Sequence, residues 1–276
     1  MDSYEGTKIE LGDVQRTLFL PLWGRAVESL KKKPLLVDRE AVRIIQNVHF
    51  DFATLARKMK RTTRLAWIVR CKYMDRAVTQ FLSAHPRATV VNVGCGMDTT
   101  FERVDNRTVT WYDLDLPDVI ELRRRFIREG PRRHFIADSF LSTSWRGSIP
   151  TEGGVMMLAA GVFYYFEEDQ IRGFFREIAE TFPGSEIVFD VASPLGVRVA
   201  NKAVIAASGL TEKSYLLWGL SDLKSIAGWD GRISILEASP LFNKRKKGIK
   251  FSYRPGLVIS DFLKIQSLVH LRFRGG

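Results

Sequence analysis

"VVNVGCGMDTT", residues 90–100, is an apolar β-branched run that ends in two glycines around a cysteine, followed by an aspartate and two threonines. An apolar run of this length reads as a strand buried on both faces. Gly94 and Gly96 then place a tight turn at its carboxyl end. In an open parallel sheet, ligands bind outside the carboxyl ends of the strands, near the point where strand order reverses. Glycines in such a turn let backbone approach a ligand and accept positive φ. The turn alone does not say which ligand.

The sequence around it supplies the frame. From residue 88 short apolar runs alternate with amphipathic segments. "ATVVNV" (88–93), "TVTWYDLD" (108–115), "HFIAD" (134–138), "GVMMLAAG" (154–161) and "EIVFDVA" (186–192) read as five strands. A short helix follows the first, "PDVIELRRRFIREG" follows the second and "EEDQIRGFFREIAETFPG" the fourth. This alternation predicts a doubly wound α/β domain with a parallel sheet and right-handed crossovers. Residues before 85 read as a helical preface and 193–232 as mostly helical, with "RISILEA" and "SLVHLRF" as two late strands.

Two further strand ends sharpen the ligand. In "WYDLDLP", Asp113 and Asp115 fall about twenty residues after the glycines, where an acid binds ribose hydroxyls. Strand alternation puts both on one side, so they compete for that role. In "IADSF", Asp138 closes the third strand, within reach of an adenine amino group. Together the three strand ends describe an adenosine site. A dinucleotide site wants a third glycine three residues after the second, and Thr99 stands there instead. The phosphate-loop signature is absent too, which points to S-adenosylmethionine, whose tail is an amino acid.

The carboxylate of that tail needs a cation. In the helix before the first strand, Trp67, Met74, Val78 and Phe81 form an apolar stripe, and Arg70 lies within it. Arg70 to Leu82 is about 18 Å of helix, and residues 89–93 rise about 17 Å, so Arg70 comes level with Gly94. Arginine suits bidentate carboxylate recognition. The competing role is a structural ion pair, with Asp98 or Glu102 as partner.

Bulk properties narrow the class. The net charge is +11 over 276 residues, but the basic residues are scattered, at 31–33, 123–125, 132–133 and 244–247. Nucleic-acid binders more often carry one dense tract interleaved with aromatics, so nucleic acid is not the expected partner. The early acids argue against a secretory signal, and "VMMLAAGVFYYF" (155–166) is too short to span a bilayer. A cytoplasmic protein, monomer or homodimer, is expected. Cys71 and Cys95 read as small buried hydrophobes, and four scattered histidines suggest no metal site.

With these residues placed, the chain resembles the leucine carboxyl methyltransferase superfamily, in the branch named after the tetracenomycin polyketide synthesis O-methyltransferase. The resemblance runs from "RTLFLPLWGRAVES" through "VVNVGCGMDTTFERVDN", "VTWYDLDLPDVIELRRRFI", "ADSFLSTSW", "AAGVFYYFEE" and "FPGSEIVFDV" to "SLVHLRF". It implies a Rossmann-like class I methyltransferase: a seven-stranded, mostly parallel sheet with the last strand antiparallel. It also implies a helical cap over 1–85 and a core over 86–276 with a lid near 193–232. The implied cofactor is S-adenosyl-L-methionine, with S-adenosyl-L-homocysteine as product. The resemblance gives Arg70 the cofactor carboxylate, Gly94 and Gly96 the cofactor turn, Asp115 (with Asp113 as rival) the ribose, and Asp138 with Ser139 the adenine. One position departs. Protein-methylating members carry an acid before the glycine of the fourth strand, and Ala160 occupies that cofactor-contacting place.

Methyl transfer is an in-line displacement that asks the protein for alignment and exclusion of water. A carboxylate acceptor needs no base; a phenol needs one. Tyr164 and Tyr165, just past the fourth strand, are candidates to position the acceptor, as are Tyr215, Trp218 and Trp229 in the lid. Arg198 or Lys202 would suit an anionic acceptor. The expected activity is O-methylation of a small molecule, a carboxyl or hydroxyl of a polyketide-like or aromatic acid. A protein C-terminus or RNA as acceptor, or cofactor binding without turnover, are the alternatives.

Overall fold

The computed structural model describes residues 13–48, 51–52, 59–202 and 215–275. Seven strands form one sheet: β1 (Thr89–Val93), β2 (Thr110–Asp115), β3 (Arg133–Ala137), β4 (Val155–Ala159), β5 (Glu186–Ala192), β6 (Ile233–Pro240) and β7 (Gln266–Phe273). Their order is β3-β2-β1-β4-β5-β7-β6. β1 to β5 pair in parallel, and β7 runs antiparallel between β5 and β6. The sequence runs read as strands match these to within a few residues.

The continuous apolar runs are explained by helices on both faces. Period-two alternation sends Val91, Val93, Met157, Ile187 and Phe189 to one side and Val90, Trp111, Met156, Leu158 and Val188 to the other. On the first side lies α6 (Glu168–Thr181), whose Phe174 meets Phe163 and whose Phe175 meets Phe163 and Phe189 at ring separations of 5.4–6.0 Å. A capping box of Glu167 and Gln170 starts this helix. On the second side lies α3 (Arg61–Ala84), which buries Met74, Val78 and Phe81 as the sequence stripe predicts. Each fully buried side chain of this kind stabilises by about 1.5–3 kcal/mol.

The preceding helices, α1 (Asp13–Ser29) and α2 (Arg39–Gln46), are bolted to the glycine turn. Asp38, the N-cap of α2, accepts from Arg25 Nε (2.8 Å), Thr99 Oγ1 (2.6 Å) and, from the short helix α4 (Thr100–Val104) after β1, Arg103 Nη1 (2.8 Å). Arg25 also reaches the carbonyl of Met97 at 2.9 Å. Thr99, at the place of the missing third glycine, is completely buried in this cluster. The threonine hydroxyl is thus an anchor for the cap.

Three elements differ from the sequence reading. The helix after β2, α5 (Pro117–Arg124), stops short of residue 130. Its Arg123 turns inward to Asp113 and the backbone of the glycine turn. The stretch 193–232 is less helical than expected: α7 (Pro194–Ala200) is followed, where described again, by irregular chain and a 3₁₀ turn at Leu223–Gly228. A further helix, α8 (Arg254–Phe262), leads into β7. Residues 1–12, 49–50, 53–58 and 203–214 of the helical readings lie outside the described residues. Among the described residues no helix is long and apolar enough to cross a membrane.

Candidate active site

The strand order reverses between β1 and β4, and a cavity of about 590 Å3 opens there. It is lined by Gly94, Cys95 and Gly96 after β1, by Ala160 and Gly161 after β4, and by Trp67, Arg70 and Cys71 of α3. Leu18, Leu20, Val199, Leu257, Ile259 and Leu263 contribute an apolar share from α1, α7 and α8 and its end, and Lys60 a cation.

The glycines are required by geometry. Gly94 has φ +58°, and a Cβ there would stand 2.5 Å from Val162 Cγ2. The amide of Gly96 donates to Asp115 Oδ2 at 2.7 Å, and its carbonyl accepts from Arg123 Nη1 at 2.6 Å. Cys95 and Cys71 are buried free thiols, and burial pushes both up in pKa. That fits inert hydrophobes.

Asp115, bonded to the amides of Gly96 and Leu116, ends β2. Burial raises its pKa despite those two donors. The amide of Asp138 donates to the Asp115 carbonyl at 2.9 Å, so the strand ends of β1, β2 and β3 are laced together. Asp138 takes the amide of Ser139 at 2.7 Å and the hydroxyl of Ser144. That Ser144 bond holds its carboxyl below the ordinary range. Asp115, Asp138 and Ser139 are not in the cavity lining; Asp115 touches it through Gly96.

Asp113 corrects the sequence reading. It is completely buried, and its carboxylate accepts from Arg123 Nη2 (2.9 Å), Arg133 Nε (2.8 Å), Trp111 Nε1 (3.0 Å) and Asn92 Nδ2 (3.1 Å). Burial pushes its pKa up, but Arg123 and Arg133 prevail and hold it below the usual value. An acid so saturated and sealed is not open to a ribose. Of the two rivals, Asp115 is the half-buried one, bonded to Gly96 of the lining.

Arg70 lines the cavity together with Gly94, and its ion-pair partner is neither Asp98 nor Glu102 but Asp190 of β5, at 2.9 Å through Nη1. Its Nε is buried without a hydrogen-bond partner among the described residues. Tyr164, also in the lining, donates its hydroxyl to the same Asp190 oxygen at 2.6 Å. Burial and then the Asp190 charge push the Tyr164 phenol well above its ordinary value. Tyr165 lines the cavity and is partly exposed.

The lid candidates separate. Trp218 and Trp229 are buried in the main core, their rings 6.1 Å apart, and Trp218 Nε1 donates to Glu168 at 3.1 Å. Tyr215 packs with the Trp23 and Trp67 group. Arg198 and Lys202 are exposed, and neither they nor these aromatics line the cavity. Sequence reasoning missed Asp190, Gln266, Arg25 and Asp38. For Asp190 a signal existed: a lone acid in the middle of "EIVFDVA", where a buried charge demands a partner. Among the described residues no cluster of three or more His, Cys, Asp or Glu is gathered as a metal would need.

The leucine carboxyl methyltransferase profile matches residues 19–179, from α1 across the glycine turn to the end of α6. The chain belongs to the leucine carboxyl methyltransferase family. This family member is 29% identical over 223 residues to the tetracenomycin polyketide synthesis O-methyltransferase TcmP of Streptomyces glaucescens, covering 80% of each chain. It is 27% identical over 212 residues to the S-adenosyl-L-methionine-dependent methyltransferase dpfgK of Gibberella zeae, covering 70% of this chain and 71% of that one. Among solved structures, a candidate methyltransferase of Thermobifida fusca superposes with TM-score 0.59 at 15% identity, over 91% of this chain and 94% of that one. A methyltransferase of Mesorhizobium loti superposes with TM-score 0.51 at 15% identity, over 71% of this chain and 96% of that one. Both carry the same Rossmann-like class I fold as this methyltransferase.

Proposed function

We propose that the protein is an S-adenosylmethionine-dependent O-methyltransferase that esterifies the carboxylate of a small, largely apolar acceptor. The observation that carries this reading is the cavity at the strand-order reversal, which joins a glycine turn and a buried arginine to an apolar outer share. Its residues suit the cofactor. Arg70, in the lining and oriented by Asp190, suits the amino-acid carboxylate. The turn at Gly94 and Gly96 admits close approach, Asp115 suits the ribose hydroxyls, and Asp138 with Ser139 suits the adenine. When bound, this cofactor supplies a methyl group on a sulfonium that leaves by in-line displacement.

The chain's own task is to hold the acceptor oxygen in line and keep water out. A carboxylate fits because it is ionised near neutral pH, and the described residues lining the cavity offer no good base. No histidine is among its lining residues. Tyr164 keeps its proton on the bond to Asp190. Asp98, also in the lining, is pushed up by burial but held well below the ordinary range by Arg25 and Arg103. Lys60 at the rim suits the negative charge of the acceptor, while the leucines and isoleucine suit its apolar body. The name of the Streptomyces glaucescens relative, a polyketide O-methyltransferase, supports an acceptor of this class.

The reading is tested by incubating the protein and S-adenosylmethionine with a panel of apolar carboxylic acids and matched phenols. The expected product is a base-labile methyl ester, formed at a rate nearly independent of pH above the acceptor's own pKa. Phenolic ethers with a rate rising with pH would overturn the carboxylate assignment. No S-adenosylhomocysteine formed with any acceptor, and none bound, would overturn the enzyme.

A further inference from the structure

Asp190 lies in the middle of β5, paired to Leu268 across the antiparallel ladder, and is completely buried. Its Oδ1 accepts from the amide of Gly161 at 2.7 Å. Its Oδ2 accepts from Arg70 Nη1 (2.9 Å), Tyr164 Oη (2.6 Å) and Gln266 Nε2 (2.6 Å). These four donors come from α3, the turn after β4, the 3₁₀ turn at Phe163–Tyr165 and β7. All four donor residues line the cavity, and Asp190 itself does not. The carboxylate thus sits one layer behind the lining and is bonded to lining residues.

We infer that Asp190 is a positioning residue for the amino-acid end of the cofactor, setting the Arg70 guanidinium and the Gly161 turn against the cavity. This rests on the cofactor reading above. Three observations favour positioning over a purely structural ion pair. First, Arg70 is fixed from two sides: Asp190 holds Nη1, and a Cβ at Gly161 would stand 2.8 Å from that same nitrogen. Gly161 has φ +78°, so the turn that seats the guanidinium is itself a glycine conformation, and Asp190 holds its amide. Second, among the described residues Asp190 takes the guanidinium through Nη1 alone, and Arg70 is itself in the cavity lining. A second carboxylate arriving from the cavity meets an oriented fork. Third, a buried ion pair is a poor device for stability alone, since well-packed apolar residues commonly do as well or better. Its value here is that an isolated buried guanidinium is costly, and Asp190 neutralises it before the ligand arrives.

The position also compensates a local absence. The residue before Gly161 is Ala160, which carries no charge, so Asp190 is the acid that touches this turn. An amide at position 190 would keep the size and remove the charge. It would also turn an N–H₂ group toward donors, releasing Arg70 from its seat.

The test compares two ligands that differ only at the amino-acid end. S-Adenosylhomocysteine carries the tail; 5′-methylthioadenosine keeps the adenosine and the sulfur and lacks it. Binding of both is measured by calorimetry on wild type and Asp190→Asn. The expected result is a loss of about tenfold for S-adenosylhomocysteine, the scale of one misplaced charge-assisted bond, with methylthioadenosine unchanged within about twofold. Equal loss of both ligands, or no loss of either, overturns the positioning role. If wild type binds neither, the cofactor reading itself fails, a separate outcome. Should Asp190→Asn not fold, Gln266→Leu removes one neutral donor and leaves the ion pair. It is expected to weaken S-adenosylhomocysteine by about threefold with methylthioadenosine unchanged, and equal weakening of the two overturns the inference.

Discussion

Asp113 and Asp190 are both completely buried aspartates on strands of one sheet, and each gathers four hydrogen-bond donors. Burial and bonding do not tell them apart. What lies beyond the donors does. Around Asp113 only Asn92 of the four donors lines the cavity, and the arginines reach onward into protein: Arg123 to the carbonyls of Gly96 and Asp98, and Arg133 to Glu102. Around Asp190 every donor faces the cavity. One carboxylate ties the glycine turn to the sheet from behind, and the other holds an arginine in the wall of the cavity. A buried acid is a functional candidate when its partners, rather than the acid, have somewhere else to go.

The largest effect is expected at Asp113. Asp113→Ala leaves the buried Arg123 without its carboxylate and Arg133 with Glu102 alone, and should lower unfolding stability by about 3–5 kcal/mol in urea titration. A loss under about 1 kcal/mol would break the comparison by removing the structural role. The same group sets a pH dependence. Arg123 and Arg133 hold its folded pKa below that of the unfolded chain. Its contribution is therefore fully present above about pH 4, the unfolded value, and is lost as pH falls through the lower folded value. Acid titration of wild type should show this loss, and Asp113→Asn should be less stable near neutrality with a flatter acid limb.

Arg70→Lys keeps the charge and loses the fork. It should weaken S-adenosylhomocysteine by about tenfold or more while leaving most of the stability, the reverse of the Asp113 pattern. Equal effects on binding and stability would merge the two sites into one class. The smallest stability change is expected at Asp138, which is partly exposed. Asp138→Ala should stay within about 0.5 kcal/mol of wild type. It should weaken S-adenosylhomocysteine and methylthioadenosine alike, because both carry the adenine. Selective loss of one would move Asp138 away from that role.

The sheet was legible because strands buried on both faces leave uninterrupted apolar runs, and "EIVFDVA" coincides with β5. The glycine turn was legible because its conformation admits few residues other than glycine. The lid was not, since its Trp218 and Trp229 look like ligand aromatics in sequence and pack as core. The choice between Asp113 and Asp115 was also hidden. Alternation puts both on one side, and only the inward turn of Arg123 and Arg133 decides which is sealed. Asp190 was overlooked because its four donors are spread from residue 70 to residue 266, a convergence no local spacing announces.

The central claim is that this cavity holds S-adenosylmethionine with its amino-acid carboxylate on Arg70. A crystal structure grown with S-adenosylhomocysteine tests it most directly. The expected density has that carboxylate on Arg70, the ribose at Asp115 and the sulfur within the cavity between Gly94 and Tyr164. Clear density for the ligand elsewhere, or with its tail directed away from Arg70, would contradict it.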